Sequence, residues 1–339
     1  MQQHNGIMHK KSKVLVTGAN GLLGANVVSA VGQDGRYRAR AMVRKGAWLR
    51  SLDGLDCELF EGEITQKQDV EKALEGVDYV IHCAGRTTQH PSQLKYYEAA
   101  NIESTRLLLA ASGQKGIKRF VFVSTTNCFT SGTLENPGTE DSGFMPWLKK
   151  SGYAYSKYLA QQEVLNYVKK HDFPAVVVAP GFLIGPRDAK PSSGQLMLYV
   201  LKNRIVFCPP GGKSFVDAEM AAQAVVSALT AEKKGDVWLL AGKNMTYRQF
   251  FKTLSEISGK RKLMIPLPEV LLKSTARFCD LLERVTRKSM PFNSTQQRLL
   301  CLDNYFDNRK AVKDLHMHPV AIEISIEKAM RWFEEKGYI

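Results

Sequence analysis

No run in the 339-residue sequence approaches the roughly 20 consecutive apolar positions that a membrane-spanning helix requires, so membrane insertion is not expected. Cysteine is sparse and unpatterned: Cys57, Cys83, Cys128, Cys208, Cys279 and Cys301 lie far apart, with no C-x-x-C and no metal-like pairing with histidine. That excludes a disulfide framework and fits reduced thiols in a reducing compartment, taken here as the cytoplasm. His316 and His318 form the one close histidine pair, but no cysteine or acidic cluster nearby completes four ligands, so no metal is expected. Internal repeats and low-complexity tracts are absent. The polar stretch from Met1 to Lys13 lacks the apolar segment of a signal peptide, and residues 1–11 are expected to form a flexible tail rather than a leader or anchor.

What the chain does have in excess is positive charge, with 47 Lys and Arg against 33 Asp and Glu, a net charge of +14. The excess is scattered through short clusters such as Lys149-Lys150, Lys233-Lys234 and Lys260-Arg261-Lys262, without aromatics interleaved on one stripe. Solvated faces and the capture of an anionic cofactor account for it more simply than nucleic acid, which is not expected as a partner.

From Ser12 onward short apolar runs alternate with helical stretches. Val14-Leu15-Val16 precedes a helix to Val31; Arg40–Val43, Cys57–Phe60 and Tyr79–Ile81 read as further strands. A helix from Asn101 to Ser112, the strand Arg119–Val123, a helix from Tyr153 to Lys170 and the strand Ala175–Ala179 follow. Buried parallel strands joined by crossover helices give this rhythm, and it predicts an α/β doubly wound parallel sheet. After Pro180 proline, glycine and long loops take over, as expected of a smaller, mostly helical C-terminal domain that binds substrate. The expected division is 12–184 for the dinucleotide domain, with 215–243 returning to it, and 185–214 plus 244–339 for the substrate domain.

Directly after the first strand stands Thr17-Gly18-Ala19-Asn20-Gly21-Leu22-Leu23-Gly24, a G-x-x-G-x-x-G spacing. Gly18 and Gly21 allow backbone to approach a pyrophosphate, Gly24 allows the helix to pack on the strand, and the helix N-terminus offers free N–H groups. Asn20, Leu22 and Leu23 complete this turn. At the end of the second strand an acid would meet a free ribose 2′-hydroxyl, whereas arginine suits a 2′-phosphate. The chain has Arg44-Lys45 there, with Arg50 shortly after, so NADP(H) is the expected cofactor and NAD the alternative. Glu63 and Ile64 after the third strand, and Cys83, Ala84 and Gly85 after the fourth, are further candidates to line the dinucleotide.

The glycine turn, "CAGRT" after the fourth strand, "FVFVSTTNCF" at the fifth, Tyr153-x-x-x-Lys157 and "PGFLIGP" after the sixth together resemble the extended short-chain dehydrogenase/reductases. Within that superfamily the chain is most similar to the dihydroflavonol reductase and 3β-hydroxysteroid dehydrogenase type, the NAD-dependent epimerase/dehydratase family, over nearly its whole length. The resemblance implies a Rossmann-like fold and an NAD(P)-dependent oxidoreductase, with Tyr153 as acid/base and Lys157 as its electrostatic partner and donor to the nicotinamide ribose. Residues i and i+4 of a helix share a face, so a Lys157 ammonium is expected to favour the tyrosinate; Tyr155 faces elsewhere and is read as a packing or rim residue. The family also supplies a serine or threonine that bonds the reacting oxygen. Thr125 is favoured, with Ser124 competing or lining the nicotinamide side. Pro180, Gly181, Phe182 and Leu183 match the stretch that passes the carboxamide, although many relatives have Arg where this chain has Ala179. Asn101 matches a common family asparagine, but its plain reading as a helix N-cap is preferred. A homodimer through flanking helices is expected by analogy.

For the substrate, Gly211–Asp217 carries Lys213 but no arginine, which weakens a sugar-nucleotide reading. Asn127, Cys128, Phe129, Phe182 and Met197 lead an apolar set, with Phe144, Trp147 and Phe207, that suits a hydrophobic ketone or aldehyde. A nucleotide-sugar epimerase or dehydratase with retained NAD, and a non-catalytic NADP-sensing protein, stay open as alternatives. The basic amphipathic helices from Pro266 to Arg284, bearing Val270, Leu271, Leu272, Phe278, Leu281 and Leu282, are expected to pack on the rest of the chain, with a lid or a membrane-surface contact as alternatives.

Overall fold

The structure, a computed structural model, describes residues 11–286, 290 and 292–339. All but the last residue of the expected tail therefore lie outside the described residues. The first half alternates strands and helices: β1 (Ser12–Thr17), α1 (Leu22–Gln33), β2 (Tyr37–Val43), β3 (Glu58–Glu61), α2 (Lys67–Ala73) and β4 (Tyr79–His82). It continues through α3 (Ser104–Gln114), β5 (Arg119–Val123), α4 (Gly152–His171) and β6 (Ala175–Pro180). These strands, joined by β10 (Val237–Leu240), make a seven-stranded parallel sheet in the order β10-β6-β5-β4-β1-β2-β3. The order reverses direction at β1 and β4, which places the crevice for a ligand beyond their C-terminal ends.

Central strands such as β5 and β6 are buried along their whole length because helices cover both faces, which is why they read as unbroken apolar runs. One core, around Val14, Val16, Val121 and Val178, packs under α1 and α6 (Ala218–Ser227); the other, around Leu15, Phe120, Phe122 and Val177, packs under α2, α3 and α4.

Past β6 a second sheet forms from β7 (Phe182–Ile184), β9 (Gly212–Asp217), β11 (Lys243–Thr246) and β13 (Asp303–Asn304). A two-stranded ribbon pairs β8 (Ile205–Cys208) with β12 (Leu263–Pro266). α5 (Gly194–Lys202), α7 (Tyr247–Ile257) and α11 (Ile322–Glu335) close a third core around Met197, Phe215, Phe250 and Phe333. α8 (Glu269–Thr286), α9 (Ser294–Cys301) and α10 (Arg309–Leu315) complete the chain.

Two expectations are corrected. Residues 215–217 belong to β9 and pair in the second sheet, while only α6 and β10 of the 215–243 stretch join the first. The outer apolar residues of α8 do not pack: Leu272 and Ala276 are buried, but Val270 and Phe278 are 74% and 62% exposed. Among the described residues, no helix is long and apolar enough to cross a membrane, and no group of three or more His, Cys, Asp or Glu side chains gathers as metal ligands.

Candidate active site

The C-terminal edge of the parallel sheet brings together Gly18, Arg44, Gly62, Cys83, Ser124 and Gly181, each one step past its strand. At β1 the turn is held by Gly21 N–H donating to the Gly18 carbonyl, 3.0 Å. Gly18 has φ +63°, and a Cβ there would lie 2.7 Å from the backbone of Ala84. At Gly24 a Cβ would lie 2.2 Å from the Gly18 carbonyl oxygen. The first turn of α1 has no side-chain cap, so its N–H groups and the helix's positive end face the crevice, which suits a dinucleotide pyrophosphate. Beneath the turn, buried His82 links Thr17 Oγ1 (2.7 Å) to Thr105 Oγ1 (3.0 Å), and burial pushes its pKa down to about 3, so it stays neutral.

Asn20 donates to the Trp48 carbonyl, 3.2 Å. Arg44 is exposed just past β2, and the Arg50 guanidinium sits between the rings of Trp48 and Tyr338, 5.8 and 5.6 Å from their centroids. Glu63 and Ile64 are half-buried past β3, the Glu63 N–H held by Asp69 at 2.8 Å.

Past β5, Thr125 rather than Ser124 meets Tyr153. Thr125 is near enough to draw the Tyr153 hydroxyl's pKa down, whereas Ser124 Oγ donates to Gln161 Oε1 at 2.6 Å and turns into the packing of α4. Lys157, one turn along α4, donates to the Val123 carbonyl at 2.6 Å and lies 4.2 Å over the Phe122 ring. Tyr153 and Lys157 thus converge on residues 123–125 from a single helix face. Burial pushes the Tyr153 hydroxyl up to about 12, against the smaller pull of Thr125, and pulls the Lys157 ammonium down to about 8. Burial is the largest influence on the Tyr153 hydroxyl, and the Lys157 ammonium donates to the Val123 carbonyl. Tyr155 stacks on Phe144 at 6.0 Å, as a packing residue does.

Asn101 is no N-cap. It lies within a π-helical turn, Glu98–Glu103, accepts the Arg86 N–H at 2.6 Å and donates to Ser156 Oγ at 2.8 Å, tying the loop after β4 to α4. Ser156 and Gln161, the partners of Asn101 and Ser124, were not among the sequence candidates, and only their spacing from Tyr153 along α4 could have pointed to them.

Of the substrate candidates, Asn127 is half-buried beside Thr125, with Asn304 Nδ2 at 3.5 Å from its Oδ1. Phe182 is half-buried and meets Phe215 edge-on at 5.4 Å; Leu183 and Gly181 are also partly open, and Pro180 is buried. Cys128 and Phe129 are 2% and 4% exposed within a small core, and Met197 is fully buried in the third core. Met197 offers a ligand no surface, because the aromatic packing of α5 against α7 and α11 encloses it. The Lys213 ammonium makes no hydrogen bond or ion pair among the described residues, and burial lowers it to about 8.

A dinucleotide cradle, a threonine–tyrosine pair and a lysine on the same helix are now assembled at one sheet edge. The family profile described as "NAD dependent epimerase/dehydratase family" matches residues 14–241. The chain belongs to that family. It is an NAD(P)-dependent enzyme of the extended short-chain dehydrogenase/reductase type. It is 28% identical over 331 residues to the sterol demethylase protein B of Methylococcus capsulatus, covering 96% of this chain and 99% of that one. It is 26% identical over 336 residues to a putative dihydroflavonol 4-reductase of a Synechocystis strain, covering 96% and 95% of the two. The crystal structure of gox2253 superposes with a TM-score of 0.85 at 25% identity, covering 97% of this chain and 100% of that one. Every sheet-edge position described above up to Leu240 lies inside the matched span of the epimerase/dehydratase family.

Proposed function

We propose that this member of the family is an NADP(H)-dependent reductase that converts a ketone or aldehyde of a hydrophobic small molecule to an alcohol. The observation that carries the reading is the convergence of Thr125, Tyr153 and the buried Lys157 at the end of β5. The bound dinucleotide supplies the hydride. Tyr153 and Thr125 together orient the carbonyl oxygen, and the Tyr153 hydroxyl gives that oxygen its proton. A hydroxyl raised to about 12 is fully protonated at neutral pH, and an alkoxide is far more basic, so the transfer runs downhill in the reducing direction. Lys157 holds a positive charge against the β5 carbonyl edge and would bond the nicotinamide ribose from there.

Arg44 and the ring-flanked Arg50 would hold the 2′-phosphate, and the N–H groups of the α1 turn the pyrophosphate. Asn127, Phe182 and Leu183 would wall the substrate, with Phe182 and Leu183 supplying the apolar surface. The six unpaired thiols support a cytoplasmic setting.

The test is a panel of aldehydes, ketones and steroid- or flavonoid-like alcohols followed by nicotinamide absorbance with NADPH and NADH in turn, on wild type and Tyr153→Phe. Turnover of an apolar carbonyl with NADPH, lost in Tyr153→Phe while NADPH still binds, supports the assignment. Turnover that survives the substitution overturns it.

A further inference from the structure

We propose that the outer face of α8, together with the β8–β12 ribbon, docks this enzyme on an anionic lipid surface. The helix carries two faces. Leu272 and Ala276 are buried against the body, whereas Val270, Leu271, Phe278, Leu281 and Val285 are each more than half exposed, at 74%, 52%, 62%, 56% and 74%. At about 100° per residue those five project within an arc of roughly 100°, so they form one continuous apolar stripe.

The ribbon that leads into the helix repeats the arrangement. Its parallel register sets Leu263 opposite Ile205 and Ile265 opposite Phe207, so all four share a face. They are 59%, 48%, 37% and 47% exposed. Nine of the large exposed hydrophobic side chains thus lie on α8 and on the ribbon whose β12 strand leads into it, where single scattered ones would need no explanation.

The charge around this face selects its occupant. On α8, Lys273, Arg277 and Arg284 run along one border of the stripe and are exposed. Glu269 pairs with the border's own Lys273 at 2.7 Å, which leaves Arg277 and Arg284 as its free charges, while Asp280 accepts the Ser294 N–H at 3.0 Å and Glu283 the Met290 N–H at 2.6 Å. Exposed Arg204 and Lys260-Arg261 stand at the head of the two ribbon strands. An apolar stripe with a basic border is the pattern of helices that lie in a bilayer interface and gain from anionic headgroups. A second copy fits worse, since two chains of net charge +14 would meet along borders of like sign. Protein partners also favour interfaces poor in lysine. An enzyme seated in this way would take an apolar substrate from the bilayer.

The experiment is co-sedimentation of the full chain with vesicles of phosphatidylcholine alone or mixed equally with phosphatidylglycerol, at low and high salt. Two variants are compared, Phe278→Glu/Leu281→Glu and Arg277→Glu/Arg284→Glu, with circular dichroism and dinucleotide binding as checks of the fold. Expected are partition onto the mixed vesicles about ten-fold above phosphatidylcholine, weakening with salt, and a drop of about ten-fold in each variant. No binding, equal binding to both vesicles, or binding untouched by either variant overturns the proposal. So does a wild-type dimer, measured by sedimentation velocity, that falls to monomer in Phe278→Glu/Leu281→Glu without any vesicle binding. All four substituted side chains are exposed, and the salt series on the wild type tests the charge requirement without any substitution.

Discussion

Lys157 Nζ donates a 2.6 Å hydrogen bond to the carbonyl oxygen of Val123 from a buried position, and that burial sets how the lysine responds to pH. Burial lowers its pKa to about 8 from the ordinary 10.5. Below about 8 the ammonium is buried at a cost to stability. Between the two values the unfolded chain holds the proton and the folded one does not, so stability rises with pH across that window. In Lys157→Met the Lys157 share of this rise is expected to vanish in thermal melts taken from pH 8 to 10, leaving the share of Lys213, which burial lowers to the same value. The activity has the opposite sign, because the reaction needs the charge. The ratio kcat/KM should fall above about pH 8 in the wild type, while Lys157→Met should be about 10²-fold slower and lack that limb.

Thr125 and Ser124 adjoin in sequence but diverge in space, so their substitution should divide cleanly. Thr125→Val removes the hydroxyl that meets Tyr153 and is expected to lower kcat about 10- to 100-fold with the melting temperature nearly unchanged. Ser124→Ala strands the buried Gln161 Oε1, bonded at 2.6 Å, and should cost about 1–3 kcal/mol of stability with kcat largely kept. Urea unfolding and steady-state rates on the two variants check both halves. The reverse pattern would exchange the roles.

The parallel sheet was legible because its strands are buried on both faces, so β5 and β6 spell continuous apolar runs between turns, and even the limits Arg119–Val123 could be read. The glycine turn and the Tyr153–Lys157 spacing were legible because their chemistry is local. Tertiary choices were not. Whether Phe215-Val216-Asp217 pairs with β6 or with β7 depends on a partner that its own pattern does not name. Asn101 precedes a helical stretch as an N-cap would, and only the fold shows Arg86 and Ser156 claiming its side chain. The apolar residues of α8 have ordinary amphipathic spacing, and the sequence cannot say which of the helix's two apolar faces the body takes.

Arg50 is held between Trp48 and Tyr338, although Tyr338 lies next to the last residue of the sequence and far from any dinucleotide motif. If the guanidinium meets a 2′-phosphate, Arg44→Ala and Arg50→Ala should each raise Kd for NADPH about 10- to 100-fold, the range for lost charge-assisted hydrogen bonds, and leave NADH nearly unchanged. Tyr338→Ala should give a smaller loss of the same kind by freeing the Arg50 side chain. Fluorescence titration with both cofactors checks this. Equal losses for NADPH and NADH would show that these residues support the loop without reading the phosphate.

Gly24 packs against the glycine turn and Asn101 ties the loop after β4 to α4, so their variants should fail for different reasons. A methyl at Gly24 would meet the Gly18 carbonyl oxygen at 2.2 Å, a backbone atom that cannot move without opening the turn. Gly24→Ala is therefore expected to cost about 1–3 kcal/mol or more by overpacking and to weaken both dinucleotides alike, since the pyrophosphate turn itself is displaced. Asn101→Ala leaves the Arg86 N–H and carbonyl and the Ser156 hydroxyl without a partner they now have at 2.6, 3.1 and 2.8 Å. The loss should be similar in stability, about 1–3 kcal/mol. Its kinetic mark should differ, because the bond to Ser156 braces the first turn of α4, which carries Tyr153, so kcat should fall more than cofactor affinity. Asn101→Asp keeps the acceptor for the Arg86 N–H but loses the donor to both Ser156 and the Arg86 carbonyl, and should recover part of the loop's stability without recovering the rate. Measuring Kd for NADPH and kcat on all three variants separates a distorted cradle from a displaced helix.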